Sequence, residues 1–204
     1  MTFFIAVKVS ALVLLAYLTG AIPFGLVLTR CFTPVDIRRH GSGNIGATNV
    51  RRTAGNLLGA LTLCGDVLKG ALPVYLALHW LPATLTGRDI YLALVALSAF
   101  GGHLYPLYLR FKDGGKGVAT AAGCFLVLSP LATIVALLVF TLGVCWYNRV
   151  SVGSLLAAAV LPLAVWETTR AVALTGCAAL ITALIIYRHR ANIIRLLAGR
   201  EPEI

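Results

Sequence analysis

Three short stretches hold most of the side chains that could do chemistry. The first is Gly41-Ser42-Gly43-Asn44-Ile45-Gly46-Ala47-Thr48-Asn49, followed by Arg51 and Arg52. The hydroxyls and amides of Ser42, Asn44, Thr48 and Asn49, with Gly43 and Gly46 between them, can satisfy a phosphate or an alcohol without bulk. Arg52 can add a bidentate clamp on phosphate. A serine- and asparagine-rich turn ahead of a helix is the plainer reading. The density of the cluster beside apolar spans favours function.

The second stretch is Gly114-Gly115-Lys116-Gly117. Its glycines let the backbone approach a ligand and adopt positive φ. A helix starting at Val118 would point its N-terminus at the loop and favour an anion, to which Lys116 adds a full charge. It is not a Walker A loop, because the leading glycine and the Ser/Thr after Gly-Lys are missing. A flexible turn with a topology-setting lysine fits the spacing equally well.

The third stretch is Arg188-His189-Arg190-Ala191-Asn192, then Arg195 and Glu201. Three residues apart, His189 and Asn192 share a face of a helix, and histidine can act as a base or an orienting donor. Alone, an amphipathic basic tail on anionic lipid explains the segment better. Ser151 carries no signal by itself. Asp66 and Lys69 lie inside an apolar stretch, where charges are paired or functional. Their i,i+3 spacing reads as a structural ion pair facing the bundle, with direct catalysis as the alternative. His103 reads as a buried hydrogen-bonding residue and His79 as uninvolved. The histidines lack metal-ligand spacing and join no carboxylate cluster, so no metal is implied.

These stretches are set in a chain that is otherwise membrane. Of its 204 residues 59% are hydrophobic and 12% charged, against about a quarter charged in soluble domains, and the mean hydropathy is +0.91. The net charge of +10 flanks hydrophobic runs, which points to topology and to anionic lipid or phosphate rather than nucleic acid. The five scattered cysteines, Cys31, Cys64, Cys124, Cys145 and Cys177, read as packing residues. No segment looks like a cleavable signal peptide: Phe3 to Leu28 is too long for a signal core and reads as the first span.

The candidate spans are Phe3–Leu28, Leu57–Trp80, Ile90–Leu109, Val118–Leu128, Leu131–Tyr147, Val152–Trp166 and Ala171–Tyr187. The fourth has the length of a helix of only ~17 Å against a hydrocarbon core of ~30 Å, and Ser129-Pro130 breaks the run after it. The alternative is one kinked helix from Val118 to Tyr147. With seven spans, the cations of the first loop, of Arg110–Lys116, Arg149 and the C-terminal segment share one face. The other face receives only Arg88 and Arg170. The positive-inside rule therefore favours seven spans, N-terminus outside and C-terminus cytoplasmic. The fold expected is an all-α integral membrane protein, a seven-helix bundle with a short, broken fourth helix, forming a single polytopic domain over residues 1–204. Thr29–Asn56 reads as the longest loop, ordered and functional.

The three clusters, in this order, resemble the bacterial acyl-phosphate:glycerol-3-phosphate acyltransferases. The first motif is Gly41 through Asn49 with Arg52. The second runs from Gly102-His103 through Phe111 to Gly114-Gly115-Lys116-Gly117-Val118-Ala119-Thr120. The third is Arg188-His189-Arg190 with Asn192-Ile193, Arg195-Leu196, Gly199 and Glu201. Gly20-Ala21-Ile22-Pro23-Phe24-Gly25 also fits. The likeness spans nearly the whole chain.

The resemblance implies seven helices, an active site facing the cytoplasm of the bacterial inner membrane, and transfer of an acyl group from acyl phosphate to the sn-1 hydroxyl of glycerol 3-phosphate. By motif, Ser42, Arg52, Lys116 and Ser151 would bind phosphate. Asn44 with Gly43, Thr48, Asn49, Gly114, Gly115 and Gly117 would shape the pocket, and His189 and Asn192 would position the attacking hydroxyl. No cofactor is implied, and membrane lipids are the surroundings. None of His40, His79, His103 or His189 begins the H-x-x-x-x-D motif of the other acyltransferase superfamily.

Acyl phosphate is a mixed anhydride with a good leaving group, so it needs no covalent enzyme intermediate; cations and N–H donors suffice for the leaving phosphate and the oxyanion. The proton acceptor is His189 or a substrate phosphate, with substrate assistance favoured. A membrane anion transporter is the alternative function, but the outer loops lack a charged path. A CDP-alcohol phosphotransferase would need clustered aspartates, which seven dispersed acidic residues do not supply.

Overall fold

The computed structural model describes residues 2–204, with backbone alone for Thr2 and Phe3. Every regular element among them is helical. The chain divides into two compact units, one running to Cys124 and the other from Phe125 to Ile204.

In the first unit, the first span expected is broken into α1 (Thr2–Gly20) and α2 (Phe24–Phe32). They meet at a bend of 41°. Pro23 explains the break: it has no N–H to donate and disfavours helix in Ile22 before it. The supposed loop Thr29–Asn56 is also partly helical. It contains the end of α2 and a helix α3 (Ala47–Ala54) that starts at Gly46 and stops at Gly55, φ 96°. Then follow α4 (Asn56–Trp80), α5 (Arg88–Leu104), a 3-10 turn at Leu107–Leu109 and α6 (Val118–Leu128), within which the division falls.

Helix contacts in this unit rest on small residues. Gly20 lies against the Ala99 carbonyl and Gly102 against that of Tyr17, joining α1 to α5. Gly70 meets the Thr120 carbonyl and Gly123 that of Val67, joining α4 to α6. Close backbone approach of this kind takes the place of a hydrophobic driving force in lipid. Asp66 and Lys69 are buried in α4 and paired at 2.8 Å, as their spacing predicts.

The second unit holds α7 (Pro130–Tyr147), α8 (Val150–Thr169), α9 (Val172–Arg188) and α10 (Arg190–Leu197). The break at Ser129-Pro130 is present, with proline opening α7 where its missing N–H costs nothing. Gly143 and Gly153 bring α7 and α8 together. α9 and α10 are bent by 58°. Among the described residues, four helices, α4, the stretch Arg88–Leu109, α7 and α8, are long and apolar enough to cross a membrane, or up to six spans if each bent pair counts as one. The packing role expected of the cysteines applies to Cys124 and Cys177 only; Cys31, Cys64 and Cys145 are exposed.

Candidate active site

The first glycine stretch is anchored from below. Ile37, Ile45 and Val50 are buried in a cluster with Leu26 and Leu58. Above them the Asn49 amide organises the loop. Its Nδ2 donates to the carbonyls of Ile37 (3.0 Å), His40 (3.2 Å) and Asn44 (2.9 Å), and its Oδ1 accepts the Ser42 N–H at 2.9 Å. Asn49 thus spends its polar groups on holding the loop's shape.

Gly41 and Gly43 sit at φ 60° and 71°, where a side chain would be strained. The loop so formed leaves Ser42 exposed, with Gly43, Asn44 and Thr48 half-buried around it. Asn44 Oδ1 accepts the Gly46 N–H at 2.9 Å. Arg52 is exposed in the last turn of α3. Beside the loop, Asp36 takes two hydrogen bonds from the Arg38 guanidinium, each 3.1 Å. With the Arg38 N–H, these hold its carboxyl down at about 2 and push Arg38 above its ordinary value.

The second loop is pressed onto the end of α5. The Gly115 N–H donates to the His103 carbonyl at 3.2 Å. A Cβ on Gly114 would overlap the Leu104 carbonyl, one on Gly115 the His103 imidazole, and one on Gly117 the Phe100 ring. Only glycine fits at these positions. Arg110, Phe111 and Asp113 adopt left-handed backbone at φ 53°, 64° and 54°, an unusual run for non-glycine residues that marks a constrained loop. Lys116 stands half-buried, two residues ahead of α6. The Asp113 carboxylate makes the smallest contribution to the raised pKa of Arg38, after Asp36.

In the second unit, His189 is the joint between α9 and α10. The expectation of one continuous helix face for His189 and Asn192 therefore gives way to a bend at the histidine itself. Its Nδ1 lies 2.8 Å from the Ile185 carbonyl. A carbonyl only accepts, so Nδ1 carries the hydrogen in this contact.

Asn192 Nδ2 donates to Glu201 Oε1 at 2.6 Å, and Arg195 Nε to Glu201 Oε2 at 2.7 Å. Burial alone would raise the Glu201 carboxyl; hydrogen bonds from Asn192 and Arg195, with the nearby Ser151 hydroxyl, overcome it and hold the group below its ordinary value. Ser151 lies in the first turn of α8, buried, and its hydroxyl makes no hydrogen bond of standard length and angle. It faces Glu201 closely enough to favour the carboxylate. Arg149 Nε donates to the Glu201 carbonyl at 3.1 Å and its Nη2 reaches Glu203 at 3.3 Å.

The sequence places Glu201 in the third stretch without giving it a role, and Arg149 only among the cations of one face. The signal was there for Glu201: Gly199, just past α10, adopts φ 65° and closes a Schellman turn, with Arg200 N–H donating to the Arg195 carbonyl and Gly199 N–H to that of Leu196. That turn folds the tail back onto α10. Among the described residues no three of His, Cys, Asp and Glu gather as metal ligands would. A shallow groove on α7 and α8, lined by Val139, Leu142, Gly143, Trp146, Tyr147 and Leu156, offers no polar group to a phosphate.

Residues 10–199 match the family model described as glycerol-3-phosphate acyltransferase. The chain belongs to this family. A glycerol-3-phosphate acyltransferase of Syntrophotalea carbinolica is 54% identical over 93% of this chain and 94% of its own. One of Myxococcus xanthus is 52% identical over 94% and 97%. Among solved structures, the glycerol 3-phosphate form of PlsY, an integral membrane glycerol 3-phosphate acyltransferase, superposes with a TM-score of 0.89 at 39% identity, covering 97% of this chain and 96% of that one. The lysophosphatidic acid form of the same enzyme gives 0.87. With its apolar helices and these neighbours, the chain is a multi-pass membrane protein of the family.

Proposed function

We propose that this protein transfers a fatty acyl group from acyl phosphate to the sn-1 hydroxyl of glycerol 3-phosphate, giving lysophosphatidic acid and phosphate in phospholipid synthesis. The observation that carries this reading is its likeness, over 97% of the chain, to a solved acyltransferase in its glycerol 3-phosphate form. The two glycine loops support it on their own terms: each combines glycine backbone with a cation, Arg52 just after the first and Lys116 within the second.

In this reading Lys116, Arg52, Ser42 and Ser151 hold phosphate groups, while Gly43, Asn44, Thr48, Asn49, Gly114, Gly115 and Gly117 shape the loops around them. His189 and Asn192 orient the glycerol hydroxyl. That oxygen attacks the acyl carbonyl carbon, a new ester C–O bond forms, and the bond from the carbonyl carbon to the phosphate oxygen breaks. The hydroxyl proton passes to a phosphate oxygen of the substrate. The cations and N–H groups stabilise the oxyanion and the departing phosphate, and orientation supplies much of the rate. The His189 Nδ1–Ile185 hydrogen bond supports an orienting role, because it fixes the ring's rotation.

Four long helices and the bent pairs α1–α2 and α9–α10 give up to six spans, and we infer the short α6 as the seventh. The topology we infer puts the N-terminus outside, the C-terminus in the cytoplasm and the site on the cytoplasmic face of the bacterial inner membrane. Donor choice is the sharpest test. Purified protein in detergent, with a chelator present, should turn over glycerol 3-phosphate with acyl phosphate and far more slowly with acyl-CoA. Equal use of acyl-CoA and no use of acyl phosphate would overturn the donor assignment.

A further inference from the structure

Three ionisable residues are buried inside the first unit, and the transfer reaction does not use them. Lys69 Nζ donates to Asp66 Oδ1 at 2.8 Å and to the Ile22 carbonyl at 2.8 Å, and lies 5.9 Å above the Phe24 ring. The same Asp66 oxygen is 3.7 Å from His103 Nδ1. Stability is a weak reason to keep such a group. Desolvating a buried ion pair costs about as much as its attraction returns, and apolar residues of like volume often serve as well or better. Charges within membrane helices are retained for what they do.

The far side of His103 shows what that is. His103 is the penultimate residue of α5. Its carbonyl accepts the Gly115 N–H, and Nε2 of its ring fills the space a Gly115 side chain would need. The imidazole therefore stands between Asp66 and Gly115, the residue before Lys116. At the other end, Lys69 grips the joint between α1 and α2. From there α2 leads to the Ser42 loop, with Gly25 packed against the Ile45 carbonyl.

We propose that His103, Asp66 and Lys69 are positioning residues for Lys116. The imidazole is the floor under the glycine loop, Asp66 sets the rotation of that ring, and Lys69 ties Asp66 to the helix joint behind the first loop. The proposal rests on Lys116 acting as a phosphate ligand. A shift of about 1 Å in a group that holds substrate can cost roughly a hundredfold in rate.

The test uses initial rates of the full-length protein in detergent with acyl phosphate and glycerol 3-phosphate. Lys116→Ala first identifies which kinetic constant the lysine governs. Two histidine variants then separate the edges of the ring. The amide of His103→Gln reaches toward the Nε2 position beneath Gly115. The amide of His103→Asn reaches only the Nδ1 position facing Asp66.

If the ring positions the loop, His103→Asn lowers kcat/KM roughly ten- to a hundredfold through the constant that Lys116→Ala changes, and His103→Gln is milder. In the Lys116→Ala background His103→Asn adds no further loss, because the group it positioned is gone. A role confined to satisfying Asp66 predicts the reverse ranking, and independent roles predict losses that multiply; either result overturns the proposal. Should neither histidine variant be recovered folded, Asp66→Asn with Lys69→Gln removes the charges without stranding one of them. It should change the same constant, and unchanged kinetics would refute the proposal. Wild-type kinetics for Lys116→Ala would instead remove the phosphate reading itself, and this proposal with it.

Discussion

Replacing Glu201 by glutamine should separate the two jobs of the tail. The wild-type carboxylate, 6% exposed, accepts Asn192 Nδ2 at 2.6 Å on one oxygen and Arg195 Nε at 2.7 Å on the other. Glutamine has the same shape but one acceptor only, so one of these donors must face an NH2 group. A hydrogen bond to a charged group contributes about 1.5–3 kcal/mol. The expected loss is therefore about 2–3 kcal/mol, or roughly 4–12 °C in the unfolding midpoint of a chain of this length.

The pH dependence carries a sign. The folded pKa of Glu201 lies below its ordinary value of 4.5, so the unfolded state binds the proton more readily. The stabilisation is fully present above about pH 4.5 and is lost as pH falls through the lower folded value. Thermal unfolding of the detergent-solubilised protein from pH 7 down to pH 3 reads both effects. Wild type should lose stability on acidification through this group, and Glu201→Gln should start lower and lose less. Equal midpoints at pH 7, with parallel acid slopes, would refute the reasoning.

Other outcomes follow from the same structure. Lys116→Ala and Arg52→Ala should each lose about ten- to a hundredfold in kcat/KM at wild-type stability; unchanged kinetics would reduce both to topology signals. Asn192→Ala should be nearly inactive, whereas His189→Gln should keep measurable turnover and the acid limb of the pH–rate profile; loss of that limb would make His189 the base. In a cysteine-free variant, cysteines at Arg39, Lys112 and Arg200 should label only from the cytoplasm and one at Thr86 only from outside; opposite labelling of positions 39 and 200 would eliminate the seven-span topology.

What could be read from the sequence follows from how local the cause was. The Asp66–Lys69 pair and the Ser129-Pro130 break depend on residues within a turn of one another, and both appear in the structure. The three polar clusters stood out because the rest of the chain is apolar. Longer-range or weaker signals were missed. Pro23 splits the first helix, yet the apolar run crosses it without interruption. α3 has eight residues and no long apolar stripe, so it hid inside a loop. The bend at His189 and the return of Glu201 depend on the Gly199 turn, which no helical period reveals. His103 beneath Gly115 joins residues that only the fold brings together.

The central claim is that acyl phosphate loses its phosphate to water-free acyl transfer onto glycerol 3-phosphate. The direct measurement follows lysophosphatidic acid by mass spectrometry and inorganic phosphate by colorimetry in one reaction of the purified protein. The account predicts that both appear in equal amounts, that the acyl group is on the sn-1 oxygen, and that neither appears when glycerol 3-phosphate is omitted. Phosphate released with no acylated product, or movement of glycerol 3-phosphate across a vesicle membrane without chemistry, would contradict it.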